Sequence, residues 1–427
     1  MSIAGLEHVL KKDEVVPTVS ASDLVTRAEW VDDSYKRHVR TYVPINRAAE
    51  GRDGAMSVQD FERKVIKAVN DALAPRGYLT ADYGYGKTST ALYLWKRAEE
   101  ANLVAVPPFQ MLHLMDLLTS IYGWLRYRLT DRPTELTAKL EKLYSHVTMK
   151  TIEQEAQEKR VSVATLREWM QQGRFILDVQ PKDDIEFFEQ ATDLAIEAGY
   201  SGVLVLPDEI QNYIEPRIKT QAEPITPLFN LVQLLATRAK YLKFGLIMII
   251  PLKEVGVLRE MRDDLLHRMR DLSLDLTTVY DDSFPENLWK LFAREFNFTD
   301  VADAVIAPET LQSLGEIAAR QELSNGPRTV INVFRRMVQR YLADPQSVEP
   351  YTPLNLIDDF ISGAITFAAN DQIPNTTRRA LQNQVVRADP SRFERAIKLA
   401  AAFPTNGLPY KLQQRYKVVD AQGVSKG

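Results

Sequence analysis

The chain has 427 residues, of which 45% are hydrophobic and 26% are charged, and its formal net charge is −4. These values are typical of a folded protein with at least one large core, and they exclude a polycation whose entire surface binds nucleic acid. The chain contains no cysteine, which excludes disulfides, thiolate nucleophiles and cysteine-based metal sites.

The N-terminal segment, residues 1–55, lacks sustained periodicity, and we predict an arm or an extended edge element there. Its first residues do not resemble a signal peptide. The longest apolar run, residues 244–252, is too short to span a bilayer. We therefore expect a cytoplasmic protein that does not contact a membrane.

Helical and strand patterns alternate through the next part of the chain. Residues 58–73 carry apolar side chains at helical spacing and predict a helix. Five short apolar runs follow, separated by helical stretches: Tyr78–Thr80, Leu103–Val106, Val203–Leu206, Phe244–Ile250 and Leu274–Thr277. Because these runs are apolar throughout, they indicate a parallel sheet that is buried on both faces.

The remaining segments are predicted to be helical. Residues 110–200 are charged and helix-forming, so we predict a helical insertion between the second and third strands. Strand patterns stop after about residue 284, and three amphipathic helices are predicted at 285–296, 308–320 and 329–342. The predicted parts are an N-terminal arm (1–55), a core with its insertion (56–283), a helical lid (284–345) and a basic C-terminal helical region (346–427).

The segment ADYGYGKT, residues 81–88, lies between a predicted strand and a helix predicted to begin at Ser89. Glycines at 84 and 86 allow a tight turn whose backbone N–H groups point at phosphates, and the helix presents its positive end to the same anion. Lys87 adds a charge, and the Thr88 hydroxyl can bind Mg²⁺. The alternative is a chance glycine-rich turn, but its position between strand and helix favours a phosphate loop. The predicted ATP-binding residues are Ala81, Asp82, Tyr83, Gly84, Tyr85, Gly86, Lys87, Thr88 and Ser89.

With the predicted sheet, this loop indicates an α/β fold of the P-loop NTPase class, with a helical lid domain and a mostly helical C-terminal region after it. A second half of the site is predicted at Asp208 and Glu209, which follow a buried-strand pattern. Asp208 can hold Mg²⁺, and Glu209 can polarise the attacking water. Other adjacent acidic pairs do not follow a strand. The Asp-Glu pair favours a hydrolase over a small-molecule kinase.

The strand after this acidic pair is the next candidate for a catalytic contribution. Hydrolases of this class often end that strand with a polar residue that senses the terminal phosphate. Here the strand runs into Pro251, and Lys253 is the nearest polar side chain, so the sensing residue stays unassigned.

Two arginines are candidate catalytic residues. Arg268, in the run LLHRMRD, could reach the terminal phosphate held by a neighbouring subunit, or it could pair with nearby aspartates on the surface. Arg328 follows Asn325-Gly326-Pro327 at the start of a predicted helix. A cation is unfavourable at the positive end of a helix unless an anion lies nearby, so we predict that Arg328 closes over the nucleotide.

In this order, ADYGYGKT, LVLPDE, LLHRMRD and NGPR, followed by a helical lid, resemble AAA+ ATPases of the origin-recognition (Orc/Cdc6-like) type over about residues 60–345. Val106–Phe109 and Ala400–Pro404 are similar to the N-terminal ATPase regions of BREX phage-defence ATPases (BrxC/PglY type). Ala81 in place of the first glycine and the strand ending at Pro251 depart from the pattern. The resemblance implies bacterial genome defence, with a homo-oligomer or partner proteins of a defence complex assembled on DNA. Such ATPases are usually much longer, so this chain could be a truncated or split member.

Two segments bear on DNA binding. Residues 372–427 carry ten Lys/Arg against three Asp/Glu, which could neutralise DNA phosphates or could be ordinary solvated charge. Residues 152–175 could form a helix-turn-helix, but their charges balance, so a plain helical insertion is the favoured interpretation.

The leading hypothesis is an ATP-hydrolysing AAA+ switch or motor that remodels or licenses a protein–DNA assembly in phage defence. The alternative is a nucleotide-switched scaffold or signalling ATPase with little turnover.

Overall fold

The computed structural model describes most of the chain up to residue 359, namely residues 3–10, 16–44, 56–145, 153, 156–157, 159–172, 184–220, 226–237, 242–269, 272–276, 282–319, 326–343, 349–353, 355–356, 359, 418–419 and 425–426. The chain divides into two compact units. The sheet unit comprises Val15–Pro44 and Gly54–Leu276, and the helical unit comprises Met1–Glu14, Ile45–Asp53 and Thr277–Gly427. The four-part division that we predict from the sequence stays a prediction.

The sheet unit is built on five parallel strands that follow the predicted apolar runs: β1 Arg76–Ala81, β2 Val104–Gln110, β3 Val203–Asp208, β4 Phe244–Pro251 and β5 Ser273–Asp275. Their order across the sheet is β2-β3-β4-β1-β5. Every residue of β3 and β4 is buried, because helices cover both faces, and this explains why these strands are apolar throughout. The predicted α/β class with a parallel sheet is confirmed.

The helices of the described residues are, in chain order, α1 Ile3–Leu10, α2 Ala21–Thr26, α3 Ala28–Val39, α4 Val58–Asn70, α5 Lys87–Glu100, α6 Met115–Arg128, α7 Thr134–Ser145, α8 Val163–Gln171, α9 Asp184–Glu197, α10 Gln211–Thr220, α11 Thr226–Thr237, α12 Leu252–His267, α13 Phe284–Glu295, α14 Ala302–Val305, α15 Pro308–Ala319 and α16 Gly326–Ala343. None of the helices within these ranges is long and apolar enough to cross a membrane. Helices α6 to α9 occupy the insertion predicted between the second and third strands.

The N-terminal part of the sheet unit differs from the expected arm or extended element. It forms helices α2 and α3, and Ser20 caps α2 in a reciprocal capping box with Asp23. The segment also packs on the edge of the sheet, because the Gln110 N–H donates to the Val19 carbonyl at 2.7 Å. The Tyr35 hydroxyl donates to the Pro108 carbonyl at 2.9 Å. These contacts hold residues 19–39 against β2.

Strand β2 runs four residues beyond the predicted end of that strand and includes Pro107 and Pro108. Two prolines fit there because β2 is an edge strand, where a backbone N–H need not donate to a neighbour. Within the insertion, Ala156 and Leu166 are buried in a small apolar cluster of their own. The helix-turn-helix interpretation of this region stays a prediction.

The helical unit contains the three amphipathic helices predicted after residue 284, as α13, α15 and α16. Trp289 and Phe292 of α13 pack on Phe334 of α16, with ring centroids 5.1 and 6.1 Å apart. Helix α1 also packs on α16. The basic segment 372–427 lies outside the described residues, apart from an antiparallel pair of two-residue strands, β6 Val418–Val419 and β7 Ser425–Lys426.

Candidate functional site

The loop predicted to bind phosphate connects β1 to α5, and α5 begins at Lys87, two residues before the predicted start at Ser89. Gly84 and Gly86 have φ values of 84° and 80°, in the left-handed region that favours glycine. A Cβ atom on Gly86 would meet nothing within 4 Å, so it is the backbone conformation rather than lack of space that requires glycine there. The loop therefore has the tight turn that a phosphate-binding loop requires, directly before the start of α5.

Lys87 is the first residue of α5, and its side chain folds back over the loop. Its Nζ donates to the carbonyl oxygens of Ala81 and Asp82, at 3.0 Å each. Burial lowers the pKa of Lys87, and the nearby carboxylates, Asp208 foremost, oppose that shift. The ammonium group is thus held at the loop by two carbonyls, where a phosphate oxygen can replace them.

The other loop residues differ in exposure. Asp82 is exposed, Tyr83 is 66% exposed with Lys87 Nζ 5.1 Å from its ring centroid, and Tyr85 is buried. Ser89 is half-buried in the first turn of α5.

Thr88 and Asp208 join the two halves of the site. The Thr88 hydroxyl donates to Asp208 Oδ2 at 2.8 Å, across 120 residues of sequence. Asp208 is only 7% exposed, and this burial raises its pKa to about 6, while the hydrogen bond from Thr88 lowers it. A carboxylate and a hydroxyl supply oxygen ligands of the kind that Mg²⁺ prefers, and a cation would offset the burial of the charged Asp208. Thr88 and Asp208 are therefore the residues that could hold Mg²⁺.

Glu209 directly follows β3 and has an unusual backbone. Its φ is 56°, a conformation that costs a non-glycine residue energy and that clusters at functional sites. Its Oε2 accepts hydrogen bonds from Gln211 Nε2 at 2.6 Å and from Asn212 Nδ2 at 3.3 Å. Two amides at the start of α10 therefore orient a half-buried carboxylate beside Asp208.

The end of β4 holds a residue that sequence reasoning missed. Lys253, the polar residue nearest the strand, is exposed, and its Nζ lies 3.8 Å from Oε1 of Glu254 and 3.8 Å from Oε1 of Glu215. Glu254, one position further, is only 3% exposed. Sequence patterns give no signal for this burial, because a glutamate in the first turn of a helix is normally solvated.

A second missed feature is Tyr42, near the end of the N-terminal segment. Its hydroxyl lies 2.8 Å from that of Thr90, which is buried in α5. The N-terminal segment therefore contacts the first turns of the helix that follows the phosphate loop.

The structure places the two predicted arginines in different units. Arg268 caps the C-terminus of α12 in the sheet unit, is exposed, and lies 5.6 Å from the ring centroid of Phe229. Among the described residues, the nearby aspartates pair with other side chains: Asp264 with Arg262, and Asp263 with His267. Arg328 is exposed in the first turn of α16 in the helical unit, and its closure over the nucleotide stays a prediction.

No protein-family model and no curated protein matches the chain. Among solved structures, it is similar to the ORC2 protein of Aeropyrum pernix in its ADPNP-ADP complexes, with 13% identity, a TM-score of 0.41, and 87% of this chain and 92% of that chain covered. It is also similar to CDC6P from Pyrobaculum aerophilum, with 12% identity, a TM-score of 0.41, and 96% and 87% covered. NtrX from Brucella abortus matches with 13% identity, a TM-score of 0.31, and 91% and 73% covered.

The chain's own geometry defines its fold class. A parallel sheet carries a glycine-rich phosphate loop at the end of β1 and an acidic pair at the end of β3, with β4 between them. This is the α/β fold of a P-loop NTPase.

Proposed function

We propose that the chain is an ATP-hydrolysing AAA+ switch or motor that uses Mg²⁺ and acts on a protein–DNA assembly. The observation that carries the hydrolase part is the 2.8 Å hydrogen bond between Thr88 and Asp208, with Glu209 adjacent. It brings the phosphate loop and the acidic pair into one site, although they are far apart in sequence. A phosphate loop alone would support binding without turnover.

Each residue then has a role in hydrolysis. The loop N–H groups and Lys87 bind the β- and γ-phosphates. Thr88 and Asp208 would hold Mg²⁺, which when bound neutralises charge on the phosphates. Glu209 accepts a proton from water as the water oxygen bonds to the γ-phosphorus and the bond to the β–γ bridging oxygen breaks, releasing ADP and phosphate.

Steady-state ATP turnover tests this proposal, with variants that separate binding from chemistry. Glu209→Gln should abolish turnover but keep binding of a fluorescent ATP analogue, and Lys87→Ala should lose both. Lys96→Ala, on the partly exposed face of the same helix α5, is the matched control and should behave as wild type. Turnover by Glu209→Gln at the wild-type rate would show that Glu209 is not the base.

Assembly into a homo-oligomer is the AAA+ part of the proposal. It is supported by Arg268, which is exposed at the end of α12 and whose neighbouring aspartates have other partners among the described residues. Arg268 would stabilise transition-state charge on the phosphate held by the next copy. Arg328 would close over the nucleotide from the helical unit. Light scattering with and without ATP should show nucleotide-dependent oligomers.

The protein–DNA assembly and the phage-defence context rest on the sequence resemblance. The run Val106–Phe109 has a structural use of its own, because it lies buried in β2, where the Pro108 carbonyl accepts from Tyr35. DNA contact is proposed through the basic segment 372–427, and it should weaken steeply with salt. Phage plating on cells that express the chain with its neighbouring genes, wild type against Glu209→Gln, tests the defence role. Equal plating would count against it.

One observation favours the second candidate, a nucleotide-switched scaffold. Glu209 Oε2 accepts from both Gln211 and Asn212, so the carboxylate is held at the start of α10. If these bonds persist with ATP bound, turnover will be slow and nucleotide will act as a structural switch. Single-turnover hydrolysis of Gln211→Ala compared with wild type decides this. A large acceleration would favour the scaffold, whereas no acceleration would favour the hydrolase.

A further inference from the structure

The order of the strands puts the end of β4 between the two halves of the nucleotide site. On one side is β3, which ends in Asp208, and on the other is β1, which leads into the phosphate loop. Pro251, the last residue of β4, pairs with Ala81, whose carbonyl accepts from Lys87. Side chains in the first turn of α12 therefore start beside the place where the terminal phosphate and the attacking water meet.

Glu254 is the third residue of α12 and is buried almost completely. Its Oε2 has no hydrogen-bond partner among the residues that the structure describes. A buried carboxylate oxygen without a partner costs free energy, so it implies a donor that arrives with a ligand or with water. The charge of Glu254 opposes the lowering of the Lys87 pKa by burial and adds to the raising of the Tyr83 pKa by burial, in keeping with its position just after Pro251, which pairs with Ala81.

The carboxyl group of Glu254 also has charged neighbours outside the phosphate loop. Lys253 of its own helix and Glu215 of α10 are the nearest of them. Burial raises the pKa of Glu254, its own backbone N–H and the charge of Lys253 oppose that shift, and the negative charge of Glu215 adds to it. A raised pKa makes a carboxylate a stronger hydrogen-bond acceptor and a better base near neutral pH.

We propose that Glu254 is a second acceptor for the attacking water, so that its unpartnered oxygen binds one hydrogen atom of that water while Glu209 takes the other. The inference rests on the proposed ATP hydrolysis. A water molecule with both hydrogen atoms engaged directs its lone pairs away from the two carboxylates, towards phosphorus. The proton that Glu209 accepts leaves the water, and the O–H bonded to Glu254 stays with the phosphate product.

The test compares Glu254→Gln with Glu260→Gln, an exposed glutamate on the same helix. Glu254→Gln should lower kcat by about tenfold or more, because a misplaced reactant costs rate, and leave the KM and the affinity for a fluorescent ATP analogue within about twofold. Glu260→Gln should match wild type. Thermal melting of both variants shows whether each is folded.

The pH profile of kcat is the readout that a structural role of Glu254 would not change. Wild-type kcat should fall on the acid side as Glu254 takes up a proton, and Glu254→Gln should lose that part of the fall. Glu215→Gln, a change at an exposed residue, should shift the fall to lower pH, because the neighbouring carboxylate no longer raises the pKa of Glu254.

Two results would overturn the inference. One is that Glu254→Gln hydrolyses ATP at the same rate as Glu260→Gln. The other is that Glu254→Gln loses nucleotide affinity and melting temperature together with kcat. In both cases wild-type turnover that Glu209→Gln abolishes would leave the proposed function intact. Absence of wild-type turnover would instead contradict the proposed function, and the inference would fail with it.

Discussion

The hydroxyl groups of Tyr42 and Thr90 lie 2.8 Å apart, which ties the N-terminal segment to the helix that follows the phosphate loop. The Tyr42 ring also packs on Tyr93, with ring centroids 5.1 Å apart. Tyr42→Phe keeps that packing but leaves the buried Thr90 hydroxyl without this partner, so we expect a loss of about 1 kcal/mol in the free energy of unfolding. Urea denaturation measures the loss. An unchanged midpoint would mean that the N-terminal segment does not stabilise α5 through this bond.

Gly86→Ala should strain the phosphate loop without a steric clash. Its φ of 80° costs an alanine about 1–2 kcal/mol, and that cost falls on the conformation that binds phosphate. We expect weaker binding of a fluorescent ATP analogue, measured by titration, with a smaller change in melting temperature.

Gly77→Ala is the contrasting control for the loop variant. A Cβ atom there would lie 2.1 Å from the Leu272 carbonyl oxygen, so β1 and the chain leading into β5 would have to separate. This variant should lower the melting temperature more than Gly86→Ala does. The reverse order would show that the loop glycine matters mainly for stability.

Glu99, near the C-terminus of α5, should make stability fall as pH rises. Burial raises its pKa to about 7, and Arg128, with Nη1 3.3 Å from Oε1, offsets this only partly. Between these two pKa values, Glu99 keeps its proton in the folded state and loses it in the unfolded chain, where its pKa is about 4.5. Its stabilising contribution is complete below pH 4.5 and is lost as pH rises through 7, a change of up to about 3 kcal/mol.

The variant Glu99→Gln isolates that contribution. It should be less sensitive to pH between 5 and 8 than wild type when the free energy of unfolding is measured across that range. Parallel curves for the two proteins would assign the pH dependence to other groups.

Arg268→Ala should lower ATP turnover only in the oligomer, where Arg268 of one copy meets the nucleotide site of the next. The ring centroid of Phe229 lies 3.9 Å from Cζ of Arg262 and 5.6 Å from Cζ of Arg268. If Arg268 serves the neighbour, Arg268→Ala should lose turnover per chain while keeping ATP binding. Adding Glu209→Gln chains, which still offer Arg268, should then restore part of the activity. No restoration at any mixing ratio would point to a role within one copy.

The sheet could be predicted because β3 and β4 are buried on both faces and hence read as continuous apolar runs. The length of β2 could not, since Pro107 and Pro108 normally end a strand. They are tolerated here because β2 is an edge strand and its pairing with β3 shifts register between Val106 and Phe109. Helices α2 and α3 were missed because they are short and their apolar spacing is interrupted by charged residues.

Within the candidate site, the loop and the acidic pair carry local patterns, and their positions follow from the strands that precede them. The burial of Glu254 has no such local pattern in the sequence, because it depends on how α12 packs at the end of β4. The contact of Tyr42 with Thr90 joins two segments that are distant in sequence. A hydrophobic pattern within each segment does not show which distant segment it meets. The relation of Arg268 and Arg328 to the nucleotide stays a prediction.

The bond between Thr88 and Asp208 also has a consequence for folding. The bond joins residues 120 positions apart, and closing so long a chain segment is slow and costs conformational entropy. Strand β4 must also insert between β3 and β1. The proposed cation site therefore cannot form while only the first part of the sheet is folded. Nucleotide with Mg²⁺ would then bind and stabilise the completed unit alone, so ligand affinity would report on whether folding has finished.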